Sequence, residues 1–221
     1  MIKPIIVFVF LIVFTLNAFA QKAIGNLYNM NWPPKEMFIR VFKHEMELEI
    51  WISDSVDFYL YKRYDICKLS GGFGPKRKQG DLQVPEGFYY INEFNPYSKY
   101  YLSMGINYPN TSDRILSPYK DLGGLIYLHG DCVSVGCIAM GNDVISEIYR
   151  MARQIKSKIQ IHIFPINYRY MKSLAYFDSQ IKEKPELLDF QRNLFEGYMY
   201  FQETNNLPNI TFLENGFCQF K

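Results

Sequence analysis

The chain has 221 residues, with 24 Lys and Arg against 22 Asp and Glu, a formal net charge of +2. That balance excludes the strongly basic surface that a nucleic-acid or anionic-membrane partner requires. An apolar share of 48%, of which aromatic residues supply much at 17% of the chain, excludes a disordered polar chain and suffices for one good core.

The first stretch reads as an address. Lys3 precedes an apolar run from Ile5 to Leu16, and Ala18-Phe19-Ala20 before Gln21 has the small-x-small form that signal peptidase cuts. A spanning helix needs about 20 apolar residues, more than this run offers. Residues 1–20 are therefore expected to be a removed signal peptide that leaves no stable membrane anchor, followed by a lead segment at 21–35. A main domain over 36–167 and a smaller α/β appendage over 168–221 follow from the composition shift after Asn167.

Strands come first in the main domain. Met46, Leu48, Ile50 and Ile52 alternate with Glu45, Glu47, Glu49 and Trp51, which predicts a strand with one wet face. Phe38–Phe42 and Phe58–Ile66 complete a meander, with Ser53-Asp54-Ser55 as a turn. Gly71 to Gly80 mixes glycines with Lys76, Arg77 and Lys78 and reads as a solvated loop tip more readily than as a carboxylate-binding flap. Strands are expected again at Phe88–Asn92 and Tyr100–Met104, joined by turn chemistry at Asn95-Pro96. Asn107 to Arg114 reads as polar and irregular.

Helical spacing then appears at Val144, Ile145, Ile148, Met151, Ala152 and Ile155, with Asn142 able to cap the start. Ile159–Phe164 is a last core strand, stopped by Pro165. In the appendage, Leu187, Phe190, Leu194, Phe195, Tyr198 and Phe201 mark an amphipathic helix that Pro185 opens and Pro208 ends. Asn215-Gly216 between Ile210–Leu213 and Phe217–Phe220 is a hairpin signal.

The chemistry concentrates at Gly123-Gly124-Leu125-Ile126-Tyr127-Leu128-His129-Gly130-Asp131-Cys132-Val133-Ser134-Val135-Gly136-Cys137. Leu125–Leu128 reads as a short buried strand that delivers His129 into a turn. Cys137 follows Gly136, whose missing side chain leaves room for a substrate carbonyl. A thiol with a histidine in reach is the minimum of a nucleophile and its base.

His129-Gly130, followed by Ser134-x-Gly136-Cys137-Ile138-x-Met140, resembles the active-site signature of the L,D-transpeptidase catalytic-domain family, and the wording His-Gly-Asp-Cys resembles a periplasmic branch of it. Gly80-Asp81-x-x-Val84-Pro85-Glu86-Gly87-Phe88-Tyr89 is similar to a second family block, with Val84 where Thr is usual. The resemblance implies an α+β, β-rich fold of sandwich or barrel type with one helix after the nucleophile. It also implies catalysis by His129 and Cys137, no cofactor, and peptidoglycan peptide stems as the partner. Many members carry Arg two places after the nucleophile, where this chain has Ala139; Arg114, with Tyr108 as a platform, is the expected replacement for substrate binding, balanced against a surface Arg114 paired with Asp113.

Ser134, Gly130 and Gly136 are expected to support the catalytic loop, and the Gly136 and Cys137 N–H groups to hold an oxyanion. A backbone carbonyl near Gly130 or Asp131 would orient the imidazole. If Cys137 is the nucleophile, at most one disulfide forms among Cys67, Cys132 and Cys218; a Cys132–Cys137 bridge would be an inactivated form, and Cys67 and Cys218 read most simply as buried apolar residues. His129, Cys132 and Cys137 with His162 fit a zinc spacing only in one half, so no metal is expected. The reading is an exported cysteine acyl transferase, with a peptidoglycan amide hydrolase or a non-catalytic wall-binding module as alternatives.

Overall fold

The computed structural model describes residues 33–55 and 57–221; the expected signal peptide lies outside them. Its centre is an eight-stranded sheet. The first three strands are β1 (Glu36–Phe42), β2 (Glu47–Ser53) and β3 (Tyr59–Asp65), the expected meander. β4 (Gly87–Ser98) and β5 (Tyr101–Ile106) form a hairpin, a short helix α1 (Thr111–Leu116) follows, and β6 (Tyr127–His129) and β7 (Ile138–Ala139) bracket the loop of residues 130–137. Helix α2 (Asn142–Ala152) and β8 (Gln160–Phe164) finish the main sheet. The strand order is β3-β2-β1-β8-β4-β5-β6-β7.

β4 belongs to both halves of this sheet. Gly87–Tyr90 pair with β8, whereas Ile91–Ser98 pair with β5, with a register shift between Ile91 and Glu93. A shift of this kind bends a strand and lets the sheet turn over its own core. The two ends then approach each other, because Lys68, just beyond β3, bridges Ala139 of β7. The Cys67–Cys132 disulfide crosses the same seam, with Cα atoms 5.4 Å apart.

Strand β1 is buried on both faces. Met37, Ile39 and Val41 join the main core with Leu48, Ile50, Met104, Leu128, Ile145 and Ile161. On the other face, Phe38 and Phe42 meet the C-terminal elements. These are α3 (Met171–Glu183), a 3-10 turn at Pro185–Leu187, α4 (Leu188–Thr204) and the hairpin β9 (Ile210–Phe212) and β10 (Cys218–Phe220). Phe42, Phe88 and Phe164 from the sheet pack with Phe190, Leu194, Tyr198 and Cys218.

The face of β2 expected to be wet is therefore covered. Glu49 is 0% exposed because it gathers the cations of that face: Arg40 donates through Nε at 3.0 Å and Nη2 at 2.7 Å, Arg63 through Nε at 3.0 Å, and Arg169 as well. Trp51 Nε1 adds a bond at 2.9 Å. Alternation marked the strand correctly, but it cannot tell water from a network that satisfies buried charge.

This network carries a pH signature. Burial pushes the Glu49 carboxyl upward, yet the Arg40 and Arg169 guanidiniums outweigh it and hold the pKa at about 2, below an ordinary 4.5. A depressed carboxylate contributes stability that is fully present above its unfolded pKa and lost as pH falls through the folded one. The contribution is about 3 kcal/mol, expected to disappear between pH ~4.5 and ~2. The check is the carbon-13 titration of the Glu49 carboxyl; a midpoint at or above the ordinary glutamate value would show that the network does not stabilise the charge.

Three other expectations change. The Asn95-Pro96 pair is no turn: β4 runs through it, and a register shift between Asn95 and Ser98 absorbs the proline, which bulges tolerate. The segment after Gly71 is not a solvated tip, since Phe73, Gly74, Pro75 and Lys76 are buried. Residues 111–116 form α1, whose N-cap Asn110 and Asp113 make a reciprocal capping box. Helix α3 was not read from the sequence; within it only Ser173 is buried.

Candidate active site

His129 ends β6 and pairs in register with Ala139 of the parallel strand β7, while Leu128 pairs with Ile138. The loop between them returns the chain so that Cys137 lies just before β7. His129 and Cys137 line one cleft of about 420 Å³, together with Leu125, Tyr127 and the tip of the β4–β5 hairpin. Leu125 belongs to this cleft and not to the expected strand: it is 79% exposed, and its carbonyl accepts from the Cys137 thiol at 3.7 Å.

The imidazole is fixed through its neighbour. Nδ1 lies 2.6 Å from the Gly130 carbonyl oxygen, an acceptor, so Nδ1 carries the proton and Nε2 is left as the basic nitrogen. The Tyr100 ring covers the imidazole with centroids 4.8 Å apart. Gly130 is required by close approach, because a Cβ there would meet Asn142 Oδ1 and the Tyr100 carbonyl oxygen, each at 2.6 Å. Asn142 does not cap α2. Gly141 holds the N-cap position, and the Asn142 side chain instead accepts from the Asp131 N–H at 2.8 Å, tying the loop to the helix start.

The Cys137 side of the loop rests on Ser70. Its hydroxyl accepts from the Gly136 N–H at 2.5 Å and lies 3.2 Å from Ser134 Oγ, which donates to the Cys137 carbonyl at 2.7 Å. Ser134 thus supports the loop, whereas the Gly136 N–H is occupied and does not face the cleft as an oxyanion donor. Gly136 has φ +103°, a conformation that disfavours any side chain. Ser70 went unnoticed in the sequence, where a serine before two glycines carries no distinguishing pattern.

Burial disfavours charge on both Cys137 and His129. Burial pushes the Cys137 thiol above its ordinary value, partly offset by a Tyr127 backbone hydrogen bond and the Lys76 charge. Burial also lowers the His129 imidazolium pKa, against the Gly130 carbonyl and Asp131. Desolvation disfavours charge on either group, so the pair favours thiol and imidazole over an ion pair.

The match to the L,D-transpeptidase catalytic-domain model spans residues 38–163. YafK of Escherichia coli strain K12, which bears a provisional L,D-transpeptidase name, is 35% identical over 181 residues, covering 79% of this chain and 70% of its own. The chain belongs to the L,D-transpeptidase catalytic-domain family. Among solved structures, the helical cell shape determining protein Pgp2 of Campylobacter jejuni shares the fold with a TM-score of 0.51 at 21% identity, covering 62% of this chain and 50% of its own. The chain thus spans about half the length of that protein.

Within this L,D-transpeptidase domain, two expected substrate residues fall elsewhere. Tyr108 is buried, and its hydroxyl donates to the Leu122 carbonyl at 3.2 Å, so it offers no platform. Arg114 is exposed on α1 and does not line the cleft. Nor does it take Asp113, which pairs with Arg77 at 3.4 Å. Lys76, 5% exposed, is held by Asp81 at 2.7 Å. Asp81 also accepts from the backbone N–H groups of Arg77, Lys78 and Gln83, which gives the Gly80-Asp81 block a role in ordering that segment. Cys67 is exposed and bridged, whereas Cys218 is a buried free thiol. Because the Cys132 sulfur is spent in the bridge, it cannot ligate a metal. His162 packs against Phe38 and Phe88 on the appendage side, and burial lowers its pKa to about 3.

Proposed function

We propose that this domain is an exported cysteine acyl transferase acting on the peptide stems of peptidoglycan. The observation that carries the reading is the shared cleft of His129 and Cys137, with the imidazole's Nδ1 committed to the Gly130 carbonyl. Family membership supplies the cell-wall substrate class.

In the proposed reaction His129 serves as the base and Cys137 as the nucleophile. His129 Nε2 takes the Cys137 proton as the sulfur attacks the stem's amide carbonyl, so the neutral pair separates charge only as the C–S bond forms. The tetrahedral oxyanion needs a donor; with the Gly136 N–H bound to Ser70, the Cys137 N–H is the local one left. Collapse breaks the C–N bond, and the imidazolium returns its proton to the leaving amine. An incoming amine, or water, then loses a proton to His129 while attacking the thioester, and the thiolate leaves and is reprotonated.

One observation favours water over an amine. Ala139, where many relatives carry the arginine thought to meet substrate, is wholly buried and paired to Lys68. The cleft therefore lacks that anchor, which is the second reading: an amide hydrolase on the same fold. Export fits the Cys67–Cys132 disulfide, since such bridges persist in oxidising compartments. Among the described residues no helix is long and apolar enough to cross a membrane.

Mass spectrometry of muropeptides after incubation with the enzyme tests both readings. New cross-links establish transfer; shortened or released stems without cross-links establish hydrolysis. Unchanged muropeptides, with Cys137 intact, would leave the domain as a wall-binding module and overturn the proposal.

A further inference from the structure

The wall of the cleft opposite the catalytic loop is the tip of the β4–β5 hairpin, and nothing in the family signature covers it. Lys99 and Tyr100 form the turn between β4 and β5. Both line the cleft with His129 and Cys137, as do Asn95, Tyr97 and Ser98.

This tip is anchored to the catalytic base. Tyr100 lies over the His129 ring, and the Gly130 N–H donates to the Leu102 carbonyl at 3.1 Å. Within the tip, Asn95 Oδ1 accepts from the Tyr97 N–H at 2.9 Å, and Ser98 Oγ from the Tyr100 N–H at 3.1 Å. The bulge at Pro96 and the positive φ of Tyr101 (+73°) fix its shape. Lys99 thus stands on a short braced turn, which reduces the entropy lost when it meets a ligand.

Charge decides what that ligand is. Among the residues lining the cleft, Lys99 carries the only fixed charge, and no carboxylate lines it. Glu93 does not line the cleft; its carboxylate accepts from the Tyr127 hydroxyl at 3.1 Å. Lys76 contributes positive potential at Cys137 from behind while paired with Asp81. Among the described residues, the Lys99 ammonium has neither an ion pair nor a hydrogen bond. Tyr97, 92% exposed, presents an aromatic face beside it. A cleft with an unpaired cation and an uncovered aromatic ring suits an anionic peptide.

We propose that Lys99 is a specificity-determining residue that receives a carboxylate of the acyl donor beside the bond attacked by Cys137, in place of the arginine absent at Ala139. The proposal deepens the acyl-transfer reading and rests on it for the identity of the substrate. It does not rest on that reading for the charge selectivity of the cleft, which a small probe can measure.

The probe pair is iodoacetate and iodoacetamide, one anionic and one neutral, each forming an S–C bond to Cys137 as iodide leaves. The ratio of their rates, followed at Cys137 by peptide mass spectrometry, cancels any change in the thiol's own pKa. Relative to the native protein, Lys99→Ala is expected to lower the iodoacetate-to-iodoacetamide ratio about three- to fivefold, and Lys99→Glu further, in line with a single charge pair near a surface. Lys172→Ala, which removes an exposed cation from α3, should leave the ratio unchanged. With peptide donors, Lys99→Ala is expected to cost about tenfold in kcat/KM on a free-carboxylate stem and little on its amidated form. An unchanged alkylation ratio in Lys99→Ala and Lys99→Glu overturns the proposal even if stems are turned over. A ratio that falls while the native protein leaves stems untouched upholds the charge-selective cleft and sinks the acyl-transfer reading instead.

Discussion

Replacing His129 with glutamine is expected to leave a folded protein whose Cys137 no longer acylates. The imidazole is buried at the end of β6, so the substitution must preserve size; glutamine does so and keeps a polar end near the Gly130 carbonyl. What it removes is the basic Nε2. With the Cys137 thiol pushed above its ordinary pKa by burial, little thiolate exists near neutrality without a base to take the proton during attack. A general base is worth about 10²–10⁴-fold, and the loss should fall at the upper end because no alternative base lines the cleft. The measurement is the rate at which an activated acyl donor labels Cys137, with circular dichroism as the folding control. A folded variant that acylates at the native rate would remove His129 from the mechanism.

Loss of the Cys67–Cys132 bridge is expected to be the largest stability effect of a covalent change. The two cysteines are 65 residues apart in sequence, and closing a loop of that length restricts the unfolded chain by about 4 kcal/mol on a chain-entropy estimate. Both side chains are exposed, so Cys67→Ala with Cys132→Ala forfeits almost no burial, and the change reports the cross-link itself. Urea unfolding of the double variant should show a loss of about 2–4 kcal/mol. Reductant should move the native protein the same way and leave the double variant unaffected. Acylation should also slow, since the bridge fixes the loop between His129 and Cys137 to the segment carrying Ser70. A double variant as stable as the native protein would show that the seam is held by the Lys68–Ala139 pairing and the Ser70 hydrogen bonds alone.

The candidate pair could be picked out in the chain because His129-Gly130 and Gly136-Cys137 are local patterns, and the fold places both side chains on one cleft. The strands of the meander were legible for the same reason: alternation in Met46 to Ile52 is a short-range signal. The helix of 142–152 and the hairpin at Asn215-Gly216 likewise follow from neighbours along the chain. Partners distant in sequence were not legible. Ser70 reaches Gly136 from across the seam, Cys67 finds Cys132 rather than lying buried, and Arg77 turns inward to Asp113.

Short-range pattern suffices for the candidate residues His129 and Cys137, for the period of the main strands and for the elements whose hydrogen bonds close locally. Which polar faces are dry, and which cation lines the cleft, depends on contacts that only the folded chain makes. Glu49 reads as solvent-facing in a strand pattern, yet α4 and the guanidiniums of Arg40, Arg63 and Arg169 surround it. Lys99 reads as one more surface lysine. Its place on the wall of the cleft that Cys137 also lines follows from the bulge at Pro96, from Tyr100 packing on His129 and from the pairing of β5 with β6. Burial and charge pairing depend on what the fold brings from elsewhere, and side-chain period carries no record of that.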